Sequence, residues 1–239
     1  MIRLILALCL TTFSARADEP LLYLHGQPRQ GEMLFAFATP KARVSLNGVE
    51  ITPRKDGWFV VGIGRNDTGD LTFTVEKSGE KLEKTFQIQP REWKIQRIDG
   101  LPDNKVNPSP EEAARIEKEF LATADARAKK VKMQLPLCFQ MPAKGRISSI
   151  YGSQRILNGE EKSPHNALDI AAATGTPVFA PADAKVLLAY DEMFLTGKTI
   201  LLAHGQEVTT SYSHLSKLDV ETGDKVKKGQ KIGEIGSTG

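Results

Sequence analysis

The stretch SPHNALDIAAATGTPVFAPA, residues 163–182, sets His165 four residues before Asp169 and follows them with small and apolar residues broken by Gly175, Pro177 and Pro181. A separation of four puts two side chains on one face in either a helical or an extended backbone. Pro164 and the run LDIAA favour the extended form. A neutral imidazole nitrogen and a carboxylate oxygen are both zinc donors. Taken alone, the pair reads as a turn or salt-bridge aspartate beside an exposed histidine.

Outward from this stretch, residues 136–239 are a series of brief apolar steps punctuated by glycine and proline: GRISSIYGSQ, TPVFAPADAKVLLAYD, KTILLAHGQEVTTSYSHLS and VETGDKVKKGQKIGEIG. No helix-length periodicity interrupts them, so an antiparallel all-β domain is expected over 136–239. Residues 31–90 repeat the β texture in shorter alternating runs. Turns at Asn47-Gly48, Asp56-Gly57 and Asp67–Asp70 separate them. These strands fit a small sandwich of about the immunoglobulin type, placed over 18–95. Residues 96–135 open as a Pro-rich polar linker and continue as a helix. Ser109 is the expected N-cap, Pro110 sits in the first turn, and Glu111 and Glu112 lie near the positive end of the helix dipole. Ala114, Ile116, Phe120 and Leu121 share the face expected to pack. The chain is thus expected to be mainly β, with a sandwich, a helical connector and a C-terminal sheet domain.

Composition narrows the functional classes. The 239 residues are ordinary in apolar content, at 40%, and in charge, at 26%. No apolar run approaches the roughly 18–20 residues that span a bilayer. The N-terminus MIRLILALCLTTFSARA has a basic Arg3, an apolar core over Leu4–Leu10 and the small-x-small triplet Ala15-Arg16-Ala17, the pattern of a cleaved export signal over 1–17. Leu8 before Cys9 does not suit a lipid-anchored precursor. An exported protein in the periplasm or cell envelope, with no stable membrane anchor after cleavage, is therefore expected. Removing residues 1–17 takes away two arginines and no acid, leaving 30 basic against 29 acidic residues. That balance gives no reason to expect a nucleic-acid partner. The mature chain keeps Cys138 alone, so an internal disulfide and a Cys-x-x-Cys zinc site are both excluded. A metal site would have to use histidine and carboxylates.

Four histidines are available. His25 precedes the first clear strand and reads as a surface or turn residue. His204 precedes Gly205 at an expected hairpin turn and reads as structural. His214 lies in TTSYSHLSKL, two residues after Tyr212, so the two are expected to share a sheet face. A histidine there can shuttle protons beside a metal or simply be half-buried in a strand.

The order and flanks of these segments, RISSIYGSQRILNGE, SPHNALDIAAATGTPVFAPADAKVLLAYDE and GKTILLAHGQEVTTSYSHLSKLDVETGDKVKKGQKIGEIGSTG, resemble the LytM/lysostaphin-type zinc endopeptidases across nearly all of 144–239. The upstream β domain and connector look like those of exported bacterial members. The resemblance implies a metalloendopeptidase with one zinc ion per domain that hydrolyses peptide cross-links of peptidoglycan. It implies His165 and Asp169 as zinc ligands and His214 as a catalytic residue beside the metal. The third ligand and a second catalytic histidine come from a His-x-His motif a few residues after the G-S-T-G turn, and are expected beyond Gly239. The 239-residue chain by itself is accordingly expected to bind zinc weakly and to be inactive. Peptidoglycan peptide stems are the implied substrate. A regulatory envelope protein is an expected partner, because unrestrained cutting would lyse the cell. The competing expectation is a catalytically inactive relative, a binding module that activates cell-wall amidases. Such members typically lack the first-motif His or Asp, and this chain keeps both.

Overall fold

The computed structural model describes residues 21–239. The expected export signal, residues 1–17, lies outside the described residues. The chain is mainly β, as expected. Its N-terminal part holds β1 (Leu22–His25), β2 (Met33–Ala38), β3 (Arg43–Leu46), β4 (Val49–Ile51), β5 (Trp58–Gly62), β6 (Asp70–Lys77) and β7 (Glu80–Gln87). Two antiparallel sheets, ordered β1-β2-β5 and β4-β3-β6-β7, enclose one core. Strict alternation in β2 and β6 sends one face inward. Phe59 of β5 meets Phe73 of β6 with ring centroids 6.2 Å apart, and Phe86 of β7 meets Phe73 edge-on at 5.9 Å. Asn47 and Gly48 both have positive φ and close the β3–β4 hairpin, the requirement of a type I′ turn. His25 is exposed, at the end of β1.

β8 (Ile95–Ile98) lies in the stretch expected to open the linker. It is followed by α1 (Asp103–Val106), α2 (Pro110–Ala128), β9 (Arg146–Ser149), β10 (Gln154–Leu157), β11 (Glu160–Lys162) and β12 (Asp169–Ala171). β8 pairs in parallel with β10, and β10 pairs with β11. Residues 95–98 are therefore tied to the region that carries His165.

Ser109 caps α2 as expected. Its hydroxyl accepts the Glu112 N–H at 3.2 Å, and the Glu112 carboxylate accepts the Ser109 N–H at 2.8 Å, a reciprocal capping box. The docked face of α2 differs from the expected one. Phe120 and Leu121 are 61% and 51% exposed, whereas Glu119 and Ala126 are buried. Glu119 accepts hydrogen bonds from Arg115 Nε and from the Phe194 N–H, each at 2.8 Å. A buried acid satisfied by these partners outweighs the apolar stripe, because removing either partner would strand it. Ser109→Ala is expected to cost about 1 kcal/mol, the usual value of an N-cap, measured by chemical denaturation.

The remaining strands are β13 (Pro177–Phe179), β14 (Ala184–Met193), β15 (Gly197–Ala203), β16 (Thr209–Leu218), β17 (Lys225–Val226) and β18 (Lys231–Ile235). They form one antiparallel sheet ordered β13-β18-β16-β15-β14-β17. β15 is buried on both faces. Ile200 and Leu202 enter the main core, while Leu201 and Ala203 pack against Ala126 of α2. This double burial explains the uninterrupted apolar run ILLA. Among the described residues, no helix is long and apolar enough to cross a membrane.

Candidate active site

His165 lies in the loop between β11 and β12 and is 5% exposed, contrary to the exposed histidine that the pair taken alone suggests. Its backbone is pinned on both sides. The His165 N–H donates to the Ser153 carbonyl at 2.8 Å, and its carbonyl accepts the Gly152 N–H at 2.7 Å. A bend then brings Asp169, the first residue of β12, back toward the ring. His165 Nε2 and Asp169 Oδ1 are 3.1 Å apart.

The other ring nitrogen is also engaged. His165 Nδ1 lies 2.8 Å from Ser149 Oγ, which lies 3.1 Å from Gln96 Oε1. When Ser149 gives its one hydroxyl proton to Gln96, it can only accept from Nδ1–H. Nε2 then faces the carboxylate as a bare lone pair. In that tautomer the 3.1 Å gap is open to a metal cation; in the other it is an ordinary Nε2–H···Oδ1 hydrogen bond. Burial and then the Arg155 charge hold the His165 imidazole below its ordinary pKa, while Asp169 opposes them. The donor set suits zinc. Ligands about 2.0–2.2 Å from a tetrahedral ion lie about 3.3–3.5 Å from each other, close to the spacing already present. Among the described residues, no group of three or more His, Cys, Asp or Glu side chains is arranged to hold a metal ion. The structure brings His165 and Asp169 together as one donor pair.

His214 belongs to the six-stranded sheet. Between the pairs Lys198–Leu215 and Ile200–Tyr212, β16 holds Ser213 and His214 against Thr199 alone on β15. This is a bulge, and His214 adopts φ 61° within it. Tyr212 and Leu215 both pack on the main core, although regular alternation would put them on opposite faces. The expected shared face of Tyr212 and His214 is therefore lost. The bulge leaves His214 exposed while Tyr212 points inward.

Thr238 positions the exposed ring. His214 Nδ1 lies 2.7 Å from the Thr238 carbonyl. A carbonyl can only accept, so Nδ1 carries the proton and Nε2 is free to accept one. The Thr238 hydroxyl donates to the Leu215 carbonyl at 2.7 Å and accepts the Lys198 N–H at 3.0 Å. Gly197 makes room for it, since a Cβ there would lie 2.2 Å from Thr238 Oγ1.

His204 is structural, as its place before Gly205 suggested. It is fully buried, with Nδ1 3.0 Å from the Asp183 carbonyl and Nε2 2.9 Å from Thr210 Oγ1. Tyr212 completes that chain through Thr210 at 2.8 Å, and burial pushes its phenol up to about 12, so it stays protonated.

Ser149, Gln96, Gly197 and Thr238 have no sequence signature that links them to the histidines. Their roles arise from pairing between distant segments.

The profile of Peptidase family M23 matches residues 163–239. The chain is 36% identical over 102 residues to the peptidoglycan DD-endopeptidase ShyA of Vibrio cholerae, covering 42% of this chain and 24% of that protein. It is 33% identical over 98 residues to the lipoprotein NlpD/LppB homolog of Pseudomonas aeruginosa, covering 41% of this chain and 31% of that protein. The chain spans about a quarter of the length of the first curated relatives it matches. A crystal structure from Pseudomonas aeruginosa, assigned to peptidase M23, superposes with a TM-score of 0.66 at 28% identity, covering 90% of this chain and 85% of that one. The profile match encloses His165, Asp169 and His214, so residues 163–239 are the segment in which the chain is similar to Peptidase family M23.

Proposed function

We propose that the protein is an exported zinc endopeptidase that hydrolyses peptide cross-links of peptidoglycan in the cell envelope. One observation carries this reading: His165 Nε2 and Asp169 Oδ1 face each other at 3.1 Å, with the far ring nitrogen already hydrogen-bonded. An outer partner of this kind is what a metal-binding histidine needs. The similarity to a peptidoglycan DD-endopeptidase supports the substrate class.

In this reading His165 and Asp169 hold zinc. Zinc would supply Lewis acidity toward the scissile carbonyl and a water molecule. His214 does the proton work. Its Nδ1–H is fixed on the Thr238 carbonyl, so Nε2 can take a proton from the attacking water and return it to the departing amine. The bulge presents this nitrogen outward, where an extended peptide can reach it.

His165→Ala in the full-length protein is expected to abolish stoichiometric zinc binding and release of cross-linked muropeptides together. A variant that still cuts with a chelator present would refute the reading. If His165→Ala leaves wall lysis intact and lysis requires a separate amidase, the protein is instead an activating module.

A further inference from the structure

Gln96 lies far upstream of the segment matched by the family profile, yet it is two hydrogen bonds from the His165 ring. β8 brings it there by parallel pairing with β10, in which Gln96 is opposite Arg155. The Lys94 carbonyl accepts the Gln154 N–H at 2.8 Å and anchors the same segment. Ser149, at the end of β9, bridges Gln96 Oε1 and His165 Nδ1. The polarity of this chain, together with the ring's hydrogen bonds to the Ile150 backbone and to Asp169, sets which ring nitrogen carries the proton. A serine hydroxyl has one proton to give. Given to Gln96, it forces Nδ1–H and leaves Nε2 bare for a metal. Given to Nδ1, it leaves the proton on Nε2, between the ring and Asp169, where it competes with a metal.

We propose that Gln96 is a positioning residue for the metal site: its amide oxygen takes the Ser149 proton and so holds His165 as the Nδ1–H tautomer that offers Nε2 to zinc. This rests on the reading of His165 as a zinc ligand. An amide can present either oxygen or nitrogen to Ser149. A carboxylate at 96 presents an acceptor only and favours the same polarity. A thioether of similar length is at best a weak acceptor, and it frees Ser149 to donate to Nδ1.

The test compares Gln96→Met, Gln96→Glu, His165→Ala and the unsubstituted full-length protein. Zinc affinity is measured by competition with a chromophoric chelator, and the 15N shifts of the His165 ring are recorded in metal-free protein. Gln96→Met is expected to weaken zinc about 10-fold, the low end of the usual cost of losing an outer partner of a metal-binding histidine, because Gln96 acts on that partner, Ser149, and not on the ring itself. Gln96→Glu is expected to retain unsubstituted affinity or exceed it. The metal-free proteins should melt together, and the fraction of His165 protonated on Nδ1 should be larger in Gln96→Glu than in Gln96→Met. Equal tautomer fractions in those two variants would overturn the proposal. So would equal loss of zinc in both, which would mark a role in shape alone. If Gln96→Met binds as the unsubstituted protein does while His165→Ala is weakened, the relay is wrong and the ligand assignment stands. If His165→Ala binds zinc unchanged, the ligand assignment itself fails, and the proposal with it.

Discussion

Gly152→Ala is expected to lower the stability of the whole chain by roughly 2–5 kcal/mol and to loosen the His165 half of the site. Two costs combine. Gly152 has φ +85°, and a Cβ built there would lie 1.9 Å from Trp93 Cζ3. The left-handed conformation alone costs a non-glycine residue about 1–2 kcal/mol. Overpacking adds about 1–3 kcal/mol. Trp93 has little room to retreat. Tyr151 packs edge-on with its centroid 6.1 Å away, Arg65 and Arg91 lie over the ring at 5.1 and 5.3 Å, and a Cβ at Gly31 would also touch it. Arg65 Nε in addition donates to the Gly152 carbonyl at 2.8 Å. This clamp joins the N-terminal sandwich to the loop whose Gly152 N–H and Ser153 carbonyl hold the His165 backbone. For a chain of this size the melting temperature should fall by about 4–20 °C. Trp93→Ala should restore part of that loss in the double variant, because the two changes share one contact and will not add. Strictly additive losses would show that the clash is not the cause.

The second large effect concerns chemistry rather than folding. His214→Ala in the full-length protein should reduce muropeptide hydrolysis by about 10²–10⁴-fold, the range for removing a general acid–base group. Zinc affinity and melting temperature should stay near their unsubstituted values, because His214 is exposed and its side chain is hydrogen-bonded to the Thr238 carbonyl. Activity and zinc lost together would make His214 a ligand instead. Unchanged activity would remove it from the mechanism.

The sandwich strands could be read from the sequence because their alternation and turn residues are local signals. Leu71, Phe73 and Val75 alternate inward along β6, and Asn47-Gly48 supplies both positive φ angles of its hairpin. The start of α2 was legible for the same reason, since a capping box is complete within four residues. The packing face of α2 was not, because Glu119 is buried by virtue of the Phe194 N–H, 75 residues away.

The site divides similarly. His165 and Asp169 are close in the chain, and a bend brings them together, but only the resemblance carried by the surrounding segments singled them out. The bulge at His214 depends on an unequal count of residues between paired strands, which no single strand reveals. Gln96 reaches Ser149 through a parallel pairing of β8 with β10 across some 60 residues, while Ser149 is set by the antiparallel pairing of β9 with β12, in which it lies opposite Asp169. Thr238 acts on His214 through its backbone carbonyl, which has no residue signature.

The most direct measurement of the central claim is digestion of purified, cross-linked peptidoglycan dimers by the full-length protein, with products identified by mass spectrometry. Hydrolysis of the cross-linking peptide bond, abolished by a chelator, restored by zinc and absent in Asp169→Ala, is the predicted result. Intact dimers at every zinc concentration, or cleavage that Asp169→Ala leaves unchanged, would contradict it.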